Sequence, residues 1–437
     1  MQWGIQGVSF RSPAIRDQLR PQDYLYSLTA QENETTSTEI ITTVKDVIFA
    51  PDDYTASPKI IADTPTKIVS MTITEKGYCH DPATGQLDEA NPGVVADIEN
   101  PTAPTTAIGT LAEGLYLRFK GKAAPITLMS CDNLPSNGDV LARILRKFIE
   151  ISRPEILNWV DDTISFPNCM VDRIVPSTTE EDRSKVEALL GLRDDTPVIA
   201  EKFSQWVIED QFVAGRPSWE LADVEMVENV EDYETMKLRL LNGPHSASAY
   251  LGYLAGFDTV SDLMAQPIFP TFLKRMMDTE INPGLTVPPG VDIKAYKDSV
   301  LDRFSNRALA HRTWQIAMDG SQKLPQRLLG SVHSALKNDL PLDCLALSVA
   351  AWMRYVTGVD EQGQAIDVSD PLKEELATVR TQSNGNITDM IDAYLNMSEI
   401  FGSDLKNAGR FKEALCRALE SLYLIGAADT VKAYGRK

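Results

Sequence analysis

Three side chains that could do acid–base chemistry on an alcohol lie close together in the sequence, at Lys237, Asn242 and His245. At about 100° per residue of an α-helix, they share one side of a helix with Glu234 and two leucines. Polar groups on an otherwise apolar helix face need partners or a function. Because proline inside a helix clashes with the preceding turn, we expect Gly243 and Pro244 to end one helix and begin another. Because His245 follows this expected break, its position on the shared face is only approximate.

This set of side chains suits the oxidation of a secondary alcohol. Hydride leaves the carbon while a base takes the hydroxyl proton, and a lysine can be that base if desolvation lowers its pKa toward neutrality. The Asn242 amide could donate a hydrogen bond to the developing alkoxide. On spacing alone, the more frequent arrangement is a solvated Lys237 and an Asn242 that caps a helix before Gly243.

The elements that must position these residues change in type along the chain. In the first part, short apolar runs predict buried strands, and helical stretches lie between them at 106–120 and 138–153. The predicted strands are residues 3–10, 40–44, 67–74 and 125–131. This alternation predicts a parallel sheet, whose ligands bind beyond the carboxyl ends of the strands.

From about residue 230, long periodic apolar stretches predict helices at 233–241, 245–256, 309–318, 342–355, 387–400 and 411–425. We therefore predict an α/β domain at residues 1–229, followed by a mostly α-helical domain at residues 230–437 that carries the catalytic residues.

Composition excludes several classes of function. A formal net charge of −20 argues against binding of nucleic acid, and it requires a locally basic pocket for any anionic substrate. The sequence shows no apolar run long enough for a membrane span and no signal peptide, so we expect a cytoplasmic protein. The five cysteines are scattered, which fits reduced thiols. No cluster of Cys, His and Glu has metal-ligand spacing, so we expect no metal and disfavour a zinc-dependent dehydrogenase.

Residues 237–256, KLRLLNGPHSASAYLGYLAG, strongly resemble the signature of the polyol-specific long-chain dehydrogenase family, which includes mannitol 2-dehydrogenases and fructuronate reductases (D-mannonate oxidoreductases). Further blocks occur in family order and cover nearly the whole chain: SMTITEKGYC, MSCDNLPSNG, FPNCMVDRIVP, QWVIEDQFVAGRP and RTWQIAMDGSQKLPQRLL. The resemblance implies a Rossmann-like dinucleotide-binding domain before the helical domain, and NAD(P)-dependent hydride transfer without a metal.

The resemblance also implies catalytic roles for individual residues. It makes Lys237 the catalytic base and Glu234 the residue that relays the proton outward. Asn133 and Asn242 resemble the amides that bind the reacting oxygen.

Three further residues match substrate-binding positions of the family. His245 and Asp172 resemble ligands of the substrate hydroxyls, and Lys323 lies in the matching D-G-S-x-K stretch. Without the resemblance, Asp172 could as well pair with Arg173, and Lys323 would be expected in a loop. We expect the other histidines, His80, His311 and His333, to be structural.

Cofactor binding is the part of the resemblance that the sequence matches least. Family members carry a further βα unit with a G-x-G-x-F-x-R-A-H-type turn, whereas this sequence starts at the following strand and contains no G-x-G-x-x-G. Either the sequence belongs to a longer gene product, or the pyrophosphate-binding turn is absent and the protein is an inactive family member. The expected cofactor residues are Thr74, Glu75 and Arg11. We expect NAD, but Arg11 follows the first strand where mannitol-oxidising members carry an acidic residue, so NADP stays open.

The choice of substrate depends on smaller differences. Residues 312–329, 74–88 and 358–371 are closer to fructuronate reductases, because mannitol dehydrogenases tend to have an arginine near Gln315. We therefore expect reversible reduction of D-fructuronate to D-mannonate, with Lys323 or Arg173 holding the carboxylate. Mannitol or arabinitol oxidation and tagaturonate reduction are the alternatives. The frequent monomers of the family are the only guide to oligomeric state, and they imply a monomer, which we expect to bind neither nucleic acid nor a membrane.

Overall fold

The computed structural model describes residues 3–81, 84–309 and 311–435. The chain divides into two compact units, Met1–Glu231 and Asp232–Lys437. All strands of the described residues lie in the first unit: β1 Ile5–Ser9, β2 Tyr26–Glu32, β3 Thr35–Ile41, β4 Val44–Phe49, β5 Ile68–Met71, β6 Thr127–Ser130, β7 Cys169–Asp172, β8 Val198–Glu201, β9 Gln205–Glu209 and β10 Glu225–Val227.

The strands pair in four short groups, which combine parallel and antiparallel neighbours. Parallel pairs join β1 to β4, β5 to β6, β2 to β8 and β9 to β10. Antiparallel pairs join β2 to β3 and β7 to β9, and the alternating pattern of the sequence did not predict them. The predicted parallel sheet is therefore correct for the strands nearest the predicted cofactor residues and wrong for the hairpin and for the β7–β9 pair.

The helices of the first unit pack around these strands. They are α1 Ala14–Leu19, α2 Ala56–Ala62, α3 Thr74–Gly77, α4 Pro92–Glu99, α5 Ala107–Gly121, α6 Asn137–Ser152, α7 Leu157–Thr163 and α8 Glu180–Leu190. The two predicted helices at 106–120 and 138–153 are confirmed as α5 and α6. Together with β6 they form the main core of this unit, where Leu115, Leu128 and Leu145 are fully buried.

Three predicted elements need correction. Residues 40–44 are not one strand, because β3 ends at Ile41 and β4 begins at Val44, and Ile40 is 49% exposed. The first predicted strand exists as β1, but it is not buried: Ile5 and Val8 are 54% and 40% exposed. Only β4 pairs with β1 within the described residues. The predicted helix at 309–318 is confined to residues 313–317, and residue 310 lies outside the described residues.

The second unit is mostly helical. Its α-helices are α9 Glu231–Lys237, α10 Gly243–Leu254, α11 Val260–Met264, α12 Ile268–Arg275, α13 Ile293–Phe304, α14 Thr313–Ala317, α15 Gly320–Leu324, α16 Gly330–Lys337, α17 Asp343–Tyr355, α18 Lys373–Gln382, α19 Ile387–Leu395, α20 Ser398–Phe401 and α21 Gly409–Gly435, which is interrupted at Gly426. Helix α17 lies at the centre of the core, with Trp352 fully buried.

Three π-helical segments continue α-helices of this unit without a break. The first π segment is Leu238–Asn242 between α9 and α10, the second is Met276–Ile281 after α12, and the third is Pro325–Leu329 between α15 and α16. The expected break at Gly243 and Pro244 is therefore wrong. In the first π segment, the N–H of Gly243 bonds to the carbonyl of Leu238, five residues back. This wider turn accommodates a proline ring that an α-helical turn would not.

Candidate active site

The predicted base lies at the end of α9, in the helical unit. Lys237 is only 6% exposed and Glu234, one turn earlier, is 8% exposed. A solvated surface lysine is thus excluded. Asn242 is half-buried at the end of the first π segment, with helical backbone on both sides, so it is not a helix C-cap.

His245 follows in the first turn of α10 and is 9% exposed. Its ring stacks on Phe304, with centroids 5.0 Å apart and planes at 25°, and it lies 4.9 Å from the ring of His311. Burial, and then the positive charges of its neighbours, hold the pKa of His245 well below its ordinary value near 6.5. The ring is therefore neutral at pH 7 and can donate one hydrogen bond and accept another.

The neighbours that act on His245 are basic. In order of effect on its pKa they are His311, Arg327, Arg303 and Lys323. Lys323 lies in α15 rather than in a loop, and its Nζ donates to the carbonyl of Met318 at 2.5 Å. Arg327 lies in the third π segment, and its Nη1 donates to the hydroxyl of Ser246 at 3.3 Å.

The first and third π segments approach each other closely at a glycine. A Cβ built on Gly243 would lie 2.7 Å from the carbonyl oxygen of Arg327. A side chain at this position would therefore push apart the backbones that carry Asn242, His245 and Arg327.

In the first unit, a carboxylate fixes the turn that follows β5. The Asp132 side chain accepts hydrogen bonds from the backbone N–H groups of Ile73 and Thr74 at 3.0 and 2.9 Å. The hydroxyl of Tyr78, which is fully buried, donates to the same carboxylate at 2.7 Å. Thr74 has a φ of 60°, a left-handed conformation that is uncommon for threonine. The Asp132 bonds offset the cost of that conformation and join the ends of β5 and β6.

Asn133 follows Asp132 directly and lies in an exposed turn. The side-chain amide of Asn137 donates to the carbonyls of Asp132 and Cys169, at 3.0 and 2.8 Å, and so fixes the backbone on one side of Asn133. Asp172 ends β7 and is 5% exposed, whereas Nε of Arg173 donates to the carbonyl of Glu201. The first unit thus positions Asn133 and Asp172 at the ends of β6 and β7.

A cavity of about 680 Å³ in the first unit is lined by two of the three predicted cofactor residues, Arg11 and Thr74. It extends from β1 to the residues after β5, and Glu75 is not among its lining residues. Both residues follow parallel strands, and the carboxyl ends of such strands are where α/β sheets bind ligands. No glycine-rich turn for the pyrophosphate occurs among the described residues that line the cavity.

Several residues of these sites were not predicted from the sequence. His311, expected to be structural, lies beside His245, whereas His333 is at the surface next to Asp404. Arg327 lies in the last of the family blocks, but the resemblance implied no role for it. The alternating strands predicted a polar loop after β6 but not the Asp132 bonds, because a bond across fifty-eight residues leaves no local pattern.

Metal-binding clusters and membrane-spanning helices are both absent from the described residues. No group of three or more His, Cys, Asp and Glu side chains in residues 3–81, 84–309 and 311–435 could hold a metal ion. Over the same residues, the helices are too short or too polar to cross a bilayer.

An α/β unit with a cavity at its strand ends and a helical unit with a buried lysine fit a nicotinamide-dependent oxidoreductase that acts on CH–OH groups. The chain belongs to the mannitol dehydrogenase family: the family model for the mannitol dehydrogenase Rossmann domain matches residues 1–221, and that for the mannitol dehydrogenase C-terminal domain matches residues 229–423.

Relatives and solved structures support this assignment. The chain is 42% identical to D-mannonate oxidoreductase of Escherichia coli over 99% of this chain and 89% of the relative. It is 39% identical to mannitol 2-dehydrogenase of Phaeosphaeria nodorum over 99% of this chain and 76% of the relative. The Pseudomonas fluorescens mannitol 2-dehydrogenase, solved as a ternary complex with NAD and D-mannitol, superposes with a TM-score of 0.90 at 36% identity, covering 100% of this chain and 88% of that one. The predicted family and fold class are confirmed.

Proposed function

We propose that this protein interconverts D-fructuronate and D-mannonate with NAD, and that Lys237 is the acid–base residue. The observation that supports this most directly is the burial of Lys237 on one continuous helix with Asn242 and His245. The relative at 42% identity is a D-mannonate oxidoreductase, and this supports the substrate. The NAD of the solved relative supports the cofactor.

When bound, NADH supplies the hydride. The residues of the helical unit then handle the proton and orient the substrate. Lys237 gives a proton to the oxygen of the reduced carbonyl and takes one back from the alcohol in the reverse direction. Asn242 donates to the same oxygen as charge develops on it. Glu234, buried one turn before Lys237, exchanges the proton with Lys237.

His245 binds a substrate hydroxyl in its neutral form. Since the pKa of His245 is held well below its ordinary value, this donor and acceptor pair persists through the neutral pH range. Arg11 and Thr74 in the cavity of the first unit contact the cofactor in this proposal. The roles of Asn133, Asp172 and Glu75, the monomeric state and the absence of a metal requirement stay predictions.

The test compares Lys237→Met with Lys337→Met, which removes an exposed lysine of the same unit. Reduction of D-fructuronate, followed by NADH absorbance, should fall at least a hundredfold in Lys237→Met and stay unchanged in Lys337→Met, because only the first removes the proton donor. NADH fluorescence should show that both variants bind cofactor like the wild type.

Three results would contradict the proposal. Wild-type turnover by Lys237→Met would exclude the lysine mechanism. A wild-type preference for D-fructose, D-mannitol or D-tagaturonate over D-fructuronate would exclude the substrate. Failure of the wild type to bind NADH at millimolar concentration would exclude the enzyme itself.

A further inference from the structure

Four basic side chains of the helical unit lie around His245, the predicted ligand of a substrate hydroxyl. We call these five residues together the basic pocket: His245, Arg303, His311, Lys323 and Arg327. Their proximity rests on geometry, since the rings of His245 and His311 are 4.9 Å apart and Arg327 bonds to Ser246, the residue after His245. Arg303 precedes Phe304, whose ring stacks on His245.

The charge of this cluster is opposite to that of the whole chain. The protein has a formal net charge of −20, yet Arg303, Lys323 and Arg327 all act on one buried histidine, His245. Positive side chains gathered at one place in an acidic chain attract an anionic ligand. This arrangement fits a ligand that carries a negative charge.

The members of the basic pocket differ in how they could meet such a ligand. Lys323 donates to a backbone carbonyl, and Arg303 is 8% exposed in the last turn of α13. Arg327 is half-buried and has a planar guanidinium, whose paired donors match a carboxylate. In His311, the buried Nδ1 has no hydrogen-bond partner among the described residues. A buried polar atom without a partner is uncommon and fits a site that a ligand completes.

We propose that the basic pocket binds the carboxylate of a sugar acid, with Arg327 and His311 as the residues that determine specificity for sugar acids over neutral polyols. Arg327 forms the charge-assisted pair with the carboxylate, and His311 donates a neutral hydrogen bond to it. This inference deepens the proposed function, because it assigns substrate selection to two residues outside the proton-transfer set. It also replaces Lys323 and Arg173 as the expected carboxylate ligands.

The first experiment measures specificity in Arg327→Gln, Arg327→Lys and His311→Asn. The comparison is kcat/KM for D-fructuronate against kcat/KM for D-fructose, the ketohexose that lacks the carboxylate. For Arg327→Gln the loss with D-fructuronate should exceed the loss with D-fructose by about ten- to a hundredfold, the scale of one charge-assisted bond. Arg327→Lys should keep part of the preference, and His311→Asn should show a smaller loss of the same kind.

The matched control is Arg380→Gln, which removes an exposed arginine of the same unit whose charge acts on Tyr394 rather than on His245. It should change neither constant. Equal losses with both substrates in Arg327→Gln, or no loss with either, would overturn the inference. Thermal unfolding of each variant identifies a general loss of folding, and Arg327→Lys then supplies the comparison in a folded protein.

A second experiment separates this inference from the proposed function. Calorimetry measures the binding of D-mannonate and D-mannitol, with NAD present, to Lys237→Met alone and combined with Arg327→Gln. Selective loss of D-mannonate binding in the double variant supports the basic pocket even if the wild type proves not to reduce D-fructuronate. Unchanged D-mannonate binding refutes the basic pocket even if that reduction is confirmed.

Discussion

Replacing Gly243 by alanine tests the close approach of the first and third π segments. Two effects oppose each other. Alanine is favoured over glycine within a helix by about 0.8–1.0 kcal/mol. The new Cβ, however, would lie 2.7 Å from the carbonyl oxygen of Arg327, and relieving such a contact by backbone movement costs about 1–3 kcal/mol. We therefore expect Gly243→Ala to lower the free energy of unfolding by up to about 2 kcal/mol.

The chain offers a matched control in Gly330→Ala. Gly330 begins α16 after the third π segment, as Gly243 begins α10 after the first. A Cβ on Gly330 would meet nothing nearer than Arg239 at 3.9 Å, so this variant should gain most of the helix propensity, about 0.5–1 kcal/mol.

The assay is thermal unfolding by circular dichroism together with steady-state kinetics. Gly243→Ala should lower Tm and, because it displaces Asn242 and His245, also lower kcat with D-fructuronate. Gly330→Ala should raise Tm slightly. If Gly243→Ala raised Tm as much as Gly330→Ala, the contact between the two segments would not be as close as described, and the reasoning would be refuted.

Two buried carboxylates give further predictions. Burial raises the pKa of Glu280 above 4.5 although two backbone N–H groups at the start of α17 oppose this. The native state therefore holds a proton that the unfolded chain releases. The free energy of unfolding should fall as pH rises from about 4.5 through the folded pKa. In urea titrations at several pH values, Glu280→Gln should show a smaller fall than the wild type. Asp97 accepts four bonds, from the backbone N–H and hydroxyl of both Thr105 and Thr106. Asp97→Asn, with one acceptor oxygen, should lower the free energy of unfolding by about 3 kcal/mol, and an unchanged urea midpoint would contradict this.

Local patterns predicted the elements whose burial is uniform. Strand β6 is buried along its whole length, and α5 and α6 begin and end within one residue of the predicted bounds. The hairpin of β2 and β3 was missed because its outer residues are polar, although Asn33, with a φ of 52°, carries a recognisable turn signal. Strands β8, β9 and β10 are short, and their pairing is set by distant segments.

The residues of the candidate site also divide into those that the local sequence indicates and those that only the fold brings together. The family resemblance and the helical spacing indicated Lys237, Asn242 and His245, and the structure adds the burial of the lysine and the histidine. His311 was not predicted, because its proximity to His245 depends on how α10 packs on the segment before α14. Local spacing gives no sign of neighbours that are distant in the sequence.

The first π segment fixes the number of residues in the helix that carries the predicted base. Deleting one residue between Lys237 and His245 would restore an ordinary α-helical turn, in which the ring of Pro244 clashes with the preceding turn. A designed scaffold that carries this helix would need the extra residue of the first π segment. It would also need a glycine at the position of Gly243, because the facing backbone leaves no room for a side chain there.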